Sequence, residues 1–179
     1  MSGKKDKRAE ELTHLDSEGR ARMVNVGEKA ITRRCCIARC TVTMERETLA
    51  RITTGDIPKG DVMATARIAG IQAAKRAGDW IPLAHPMPLD AAEVLLSPSP
   101  QGDAVDVEAR VEAHWRTGVE MEALVAASAA GLTIYDMCKA IDRGMCLQNL
   151  RLVAKTGGKS GRYLRAGEGE IDFECEGSS

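Results

Sequence analysis

Aromatic side chains are nearly missing from this chain: they make up 3% of 179 residues, with a single Phe. Proteins that stack nucleobases need exposed rings, so a single-strand RNA or DNA binder is disfavoured. An excess of either charge is missing too. Lys and Arg total 25 against 26 for Asp and Glu, a net charge of −1. No overall field selects a nucleic acid or a membrane, and any anion site must be local. No apolar run approaches transmembrane length, and residues 1–11 are too polar for a signal peptide. The six cysteines (Cys35, Cys36, Cys40, Cys138, Cys146, Cys175) include no C-x-x-C pair. That points to reduced thiols in a cytoplasmic protein rather than a zinc site or a disulfide framework. What the chain does have is 44% hydrophobic content, enough for one substantial core. Residues 12–165 are expected to form a single domain between a disordered N-terminus, 1–11, and a disordered acidic tail, 166–179.

The stretch TGVEMEALVAASAAGLTIYDMCKAIDRG, Thr117 to Gly144, predicts the dominant helix. Thr117 and Glu120 stand at capping-box spacing, Gly144 supplies a stop, and Arg143 suits the last turn. Met121, Leu124, Val125, Leu132 and Tyr135 line one side, and Ala126, Ala130, Thr133, Ile134 and Met137 the other. A helix without a polar face is expected to be enclosed by protein. Asp136 and Lys139 nevertheless fall on the stripe of Leu132. They read equally as an i,i+3 ion pair emerging at a frayed end or as a functional pair. Glu122 lies roughly opposite Glu120, so the two carboxylates share a site only if the helix begins later than Thr117 implies.

Around this helix, Thr32 to Val42 alternates Cys36, Ala38, Cys40 and Val42 against Arg33, Arg39 and Thr41, which predicts a half-buried strand. Thr43 can cap a short helix over Met44 to Ile52. VMATARIAGIQAAKRAG, lined with alanines, predicts a helix able to approach a sheet closely and ended by Gly78. Three prolines forbid helix in Asp79 to Leu89 and hold His85 in a stiff, extended frame. Ala91 to Leu96 is a candidate strand. Asp103 to Arg116 has the clearest period of two, with Val105, Val107, Ala109, Val111, Ala113 and Trp115 facing one way and Asp106, Glu108, Arg110, Glu112, His114 and Arg116 the other. Leu147 to Ala154 is the last strand. The order predicts an α+β fold: a ferredoxin-like antiparallel sheet with helices packed on one face.

Several motifs carry candidate chemistry. Lys59-Gly60-Asp61 stands at a helix N-terminus, where free amides favour an anion, although such triplets are also common on surfaces. Lys155-Thr156-Gly157-Gly158-Lys159-Ser160-Gly161 is either a phosphate cradle or a flexible basic tail, and it lacks the spacing of a P-loop. His85 is either a structural hydrogen-bonding residue or a functional one. His114 belongs to the solvated face of its strand.

Taken in order, KGDVMATARIAGIQAAKR, IPLAHP, TGVEMEAL, LTIYDMCKA and KTGGKSG resemble the cyclic pyranopterin monophosphate synthase family, the molybdenum cofactor biosynthesis C proteins. The likeness runs from about Leu12 to Arg162. It implies a lyase that converts a cyclised dihydro-GTP, a small nucleotide-derived substrate, into cyclic pyranopterin monophosphate and pyrophosphate. It implies a ferredoxin-like fold, a homohexamer built as a trimer of dimers, and sites at the dimer interface. No flavin or nicotinamide cofactor is expected, because no electron leaves the substrate, and no metal, nucleic acid or membrane is expected either. Asp136, Lys139 and Lys59 match the family's catalytic residues. Leu83, Ala84, His85, Met121 and Glu122 match its substrate-binding residues, and Lys155 and Lys159 its triphosphate contacts. The chain departs at Ala84, where the block usually reads L-C-H-P, and at Met63, where a bulkier aromatic or a leucine is common. Both departures bear on pocket shape rather than on proton transfer. Enclosed lysines and a carboxylate with displaced pKa values would suit acid–base work near neutral pH. A non-catalytic phosphate-ligand module of the same fold is the alternative; it would tolerate loss of Asp136.

Overall fold

A computed structural model describes residues 18–159 and 161–169, with Ile171 and Phe173. The elements are β1 (Thr32–Thr43), α1 (Arg46–Thr54), α2 (Val62–Ala74), α3 (Ala77–Trp80), β2 (Ala91–Pro98), β3 (Ala104–Trp115), α4 (Glu120–Cys138), β4 (Cys146–Thr156) and β5 (Tyr163–Leu164). The strands form one sheet in the order β2-β3-β1-β4-β5, and every neighbouring pair is antiparallel. That is the ferredoxin-like arrangement expected from the order of elements, with β5 added at one edge. Among the described residues no helix is long and apolar enough to cross a membrane.

The alternation along β1 and β3 builds the core. Cys36, Ala38, Cys40 and Val42 of β1 face α2 and α4 together with Val105, Val107, Ala109 and Val111 of β3, all buried. Small residues set how closely the layers meet. A Cβ on Gly70 of α2 would stand 2.9 Å from both the Ala126 carbonyl oxygen of α4 and Val94 Cγ2 of β2. Alanine is therefore excluded there without a shift of the helix. Cys35, Cys36, Cys40, Cys138 and Cys146 are free thiols, the first four of them buried. Burial pushes the Cys40 thiol up to about 12 and the Cys36 and Cys138 thiols upward as well, so these pack as small hydrophobes.

Several local expectations fail for identifiable reasons. The dominant helix starts at Glu120 with Val119 as its N-cap and no side-chain cap, so the Thr117–Glu120 capping box does not form. Glu120 Oε1 is instead taken by Lys155 Nζ at 2.8 Å, a charged partner that outcompetes a backbone amide. The helix ends at Cys138, well before Arg143 and Gly144; the Gly144 amide donates to Asp142 Oδ1 at 2.8 Å. Thr43 ends β1 rather than capping α1. The amide of Glu45, the N-cap of α1, donates at 2.9 Å to Asp142 Oδ2, a carboxylate supplied from far along the chain. Gly78 lies inside the short α3 instead of ending α2, and that helix carries Asp79 and Trp80 of the proline-rich segment. The charged N-terminal stretch 1–11 and residues 174–179 lie outside the described residues. Part of the acidic tail does have partners: Glu168 pairs with Arg39 and Arg151, and Ile171 and Phe173 pack on Ile37, Val153 and Ala154.

Candidate functional site

Two adjoining cavities open at the end of the molecule where β1 and α4 begin and β4 finishes. The first, about 600 Å³, is lined by five cationic side chains, Lys29, Arg34, Arg116, Lys155 and Lys159, against one carboxylate, Glu120. The backbone explains why the cations converge. Thr32, Arg34 and Cys36 occupy the helix-facing side of β1, and Arg34 ends its apolar stripe. Arg34 is steadied by donating from Nε to the Trp115 carbonyl at 3.3 Å and from Nη2 to the Arg116 carbonyl at 3.4 Å. Beyond β4, Gly157 and Gly158 adopt φ of +93° and +73° and lie directly on β1. A Cβ on Gly157 would collide with the Arg33 carbonyl oxygen, and one on Gly158 with the Arg34 guanidinium. Only glycine combines this backbone with this approach.

Charge and hydrogen-bonding capacity in this cavity are left unspent. Arg116 Nε and Thr32 Oγ1 are buried without a hydrogen-bond partner among the described residues. A buried donor without a partner is costly. The strand period misassigns Arg116 to the solvated face of β3. The strand stops at Trp115, so Arg116 leaves the alternation and turns into the cavity. Lys29, Arg34, Arg116 and Glu120 were not among the sequence-derived site residues. A charged residue at the end of the apolar face of β1 was the available signal for Arg34.

The second cavity, about 420 Å³, shares the wall of Lys29, Thr117, Gly118 and Glu120 with the first. Leu83, Ala84, His85, Met121 and Glu122 meet around it. His85 Nε2 lies 2.9 Å from the Val24 carbonyl oxygen, and since that oxygen only accepts, Nε2 carries the hydrogen. The hydrogen bond holds the segment before β1 over the cavity. Because α4 begins at Glu120, Glu120 and Glu122 both reach this space, which the sequence spacing allowed only for a late helix start. Glu122 is 3% exposed, and burial, followed by the charge of Glu120, raises its carboxyl above the ordinary range.

Asp136, Lys139 and Lys59 form a third group at the opposite end of α4. Lys139 Nζ donates to Asp136 Oδ1 at 2.7 Å, and Lys59 Nζ to Asp136 Oδ2 at 2.9 Å and to the Asp136 carbonyl at 2.7 Å. Both lysines thus bind one carboxylate of their own chain. They are not enclosed: the three side chains are 46–57% exposed. Nor are Asp136 and Lys139 displaced toward neutrality. Hydrogen bonds from Lys139 and then Lys59 hold Asp136 down at about 2, and Asp136 raises Lys139. Desolvation opposes these attractions only weakly at so exposed a place, so Asp136 and Lys139 stay charged. The anion expected at the start of α2 is internal: Asp61 Oδ1 accepts from the Ala64 amide at 2.9 Å and occupies that position. From Glu120 to Asp136 the helix rises about 24 Å, so the triad and the cavities of one chain stand far apart.

The sequence model of the MoaC family matches residues 23–158, ending before β5 and Glu168. A protein of Chloroflexus aurantiacus named cyclic pyranopterin monophosphate synthase is 56% identical over 155 residues, 87% of this chain and 95% of that relative. Proteins with the same name from Chloroflexus aggregans and Pelotomaculum thermopropionicum are each 54% identical, covering 92% and 93% of this chain and 98% of their own lengths.

Proposed function

This chain belongs to the MoaC family, and from that premise we propose that it is an enzyme of molybdenum cofactor biosynthesis. It converts the cyclised dihydro-GTP intermediate to cyclic pyranopterin monophosphate with release of pyrophosphate, a lyase reaction. The observation that carries this reading is the pair of joined cavities, one with five cations and the next with apolar walls and the buried carboxyl of Glu122. A triphosphate suits the first, where Lys155, Lys159, Arg34 and Arg116 offset its charge and later that of the departing pyrophosphate. A polar ring system suits the second, where Glu122 accepts from ring N–H groups and His85 and Met121 bound the space.

The proton transfers are assigned to Asp136, Lys139 and Lys59. Lys139 serves as general acid and Asp136 holds its ammonium in position, with Lys59 on the other carboxylate oxygen. Groups about 24 Å apart along one helix cannot both reach a single reacting centre, where contacts of about 3–3.5 Å are needed. The active site therefore takes its cavities from one chain and its triad from a second, and the dimers assemble further into a hexamer. Supporting this, Leu132 on α4 and Ile68 on α2 are more than half exposed, and Leu132 lies one turn before Asp136. A partner covering the triad would also desolvate it and bring its pKa values toward the working range.

The test is to incubate the purified protein with cyclised dihydro-GTP and measure pyrophosphate and cyclic pyranopterin monophosphate. Equal amounts of both, lost together in Asp136→Asn, are expected. Tight binding without turnover would replace the enzyme by a phosphate-ligand binding module.

A further inference from the structure

Away from the cavities, the sheet face opposite the helices carries an unusual register. Arg39 of β1 and Arg151 of β4 are direct cross-strand partners. Like charges so placed repel. Glu168 resolves the conflict: Oε2 accepts from Arg39 Nη1 at 2.7 Å and Oε1 from Arg151 Nε at 2.7 Å. Its side chain is 11% exposed. Arg39 continues the chain of charges by donating from Nε to Glu108 Oε2 at 2.6 Å, and Arg110 Nε donates to Glu108 Oε1 at 2.6 Å. The tail thus reaches across β4 to β1 and, through Glu108, to β3.

What lies between β4 and Glu168 gives the contact its consequence. The segment after β4 carries Gly157, Gly158 and Lys159 at the anion cavity, then returns as the two-residue strand β5. Gly157, Gly158, Gly161 and Gly167 all have positive φ, so the segment has little stiffness of its own. β5 contributes only the Ala154–Leu164 and Lys155–Tyr163 pairings, followed by the Arg165 amide on the Val153 carbonyl at 2.8 Å. A pairing this short is marginal alone. Arg165 also donates from Nε to the Leu152 carbonyl at 2.9 Å; the next ion-paired attachment along the chain is Glu168, followed by Phe173 with Arg162 5.1 Å over its ring.

We infer that Glu168 is a positioning residue for the anion cavity: by bridging Arg39 and Arg151 it anchors the returning arm of the loop that leaves β4 just after Lys155 and bears Lys159. It touches neither cavity. Its effect is on where Lys159 and the Gly157–Gly158 turn stand relative to Lys155. The inference rests on the proposed phosphate role of that cavity, and the experiment separates the two.

Inorganic pyrophosphate binding by calorimetry and steady-state kinetics with cyclised dihydro-GTP are measured on full-length wild type, Glu168→Gln and Lys155→Ala. Glu168→Gln keeps the shape but takes the carboxylate from Arg151 and leaves Arg39 with Glu108 alone. Its pyrophosphate Kd and its KM should each rise about tenfold, with kcat within about twofold of wild type. Glu168→Asp should recover part of the loss. If Lys155→Ala weakens pyrophosphate while Glu168→Gln lowers only the melting temperature, Glu168 is merely structural and the inference is overturned. A Glu168→Gln effect on kcat alone would overturn it as well. If Lys155→Ala leaves pyrophosphate binding unchanged, the phosphate reading of the cavity itself fails. Should Glu168→Gln not fold, Arg151→Lys, which keeps the charge but loses the guanidinium geometry, must give the same rise in Kd and KM; unchanged values refute the role.

Discussion

Two inactive variants of this protein should restore each other when mixed, and the size of the recovery can be worked out from the fold. Asp136→Asn breaks the triad at one end of α4 and leaves the cavities intact. Lys155→Ala/Lys159→Ala strips two of the five cations from the anion cavity and leaves the triad intact. Each should lower kcat/KM on the order of 10²-fold or more. With a twofold axis, each dimer holds two equivalent sites. Random exchange of subunits makes about half of all dimers mixed. In a mixed dimer one site joins the sound triad to the sound cavity, and the other combines both lesions. About one quarter of the wild-type activity should therefore return. The assay is pyrophosphate release at substrate well below KM, after mass-tagged subunits demonstrate exchange. Activity remaining at the level of the separate variants would refute the two-chain site. Lys59→Ala mixed with Lys139→Ala is the matched control: both lysines bind the same Asp136, so their mixture should recover nothing.

Other consequences concern single groups. Lys139→Ala should lower turnover by about 10²-fold or more, a usual general acid contribution, while the melting temperature stays near wild type because within its own chain the triad belongs to no hydrophobic core. Near-normal turnover would remove Lys139 from the chemistry. Glu122 has a raised pKa, so the folded protein binds its proton more tightly than the unfolded chain does; stability is then lost as pH rises from the ordinary value of 4.5 through the raised one. Glu122→Gln should melt higher than wild type at about pH 8 and level with it at about pH 4. Equal melting curves at both pH values would contradict the burial effect. Asp142 is 7% exposed and accepts from the Glu45 amide, Thr48 Oγ1 and the Gly144 amide. Asp142→Ala should reduce unfolding free energy by about 2 kcal/mol in a denaturant titration, since it orphans the buried Thr48 hydroxyl and two part-buried amides.

The strands were legible because burial on one face writes a period of two directly into β1 and β3, and the strand order followed from the sequence of elements. Helix ends were not legible. At α1 and α4 the local capping residue lost to a partner from elsewhere, Asp142 for one and Lys155 for the other, and spacing along the chain carries no sign of either. Asp136 and Lys139 were visible as charges on an apolar stripe. Their exposure was not, because a helix with no polar face looks enclosed whether its own domain or a second copy covers it. The cations of the anion cavity were half visible. Lys155 and Lys159 stand beside glycines, whereas Arg34 and Arg116 became site residues only through the ends of β1 and β3.

The most direct measurement is a crystal structure of Lys139→Ala with cyclised dihydro-GTP bound. The phosphates should lie against Lys155 and Lys159 of one chain. The ring system should sit beside Glu122 and His85 of that chain and within about 3.5 Å of Asp136 or Lys59 from a second. A bound molecule contacted by one chain alone, or with its phosphates outside the five-cation cavity, would contradict the two-chain site.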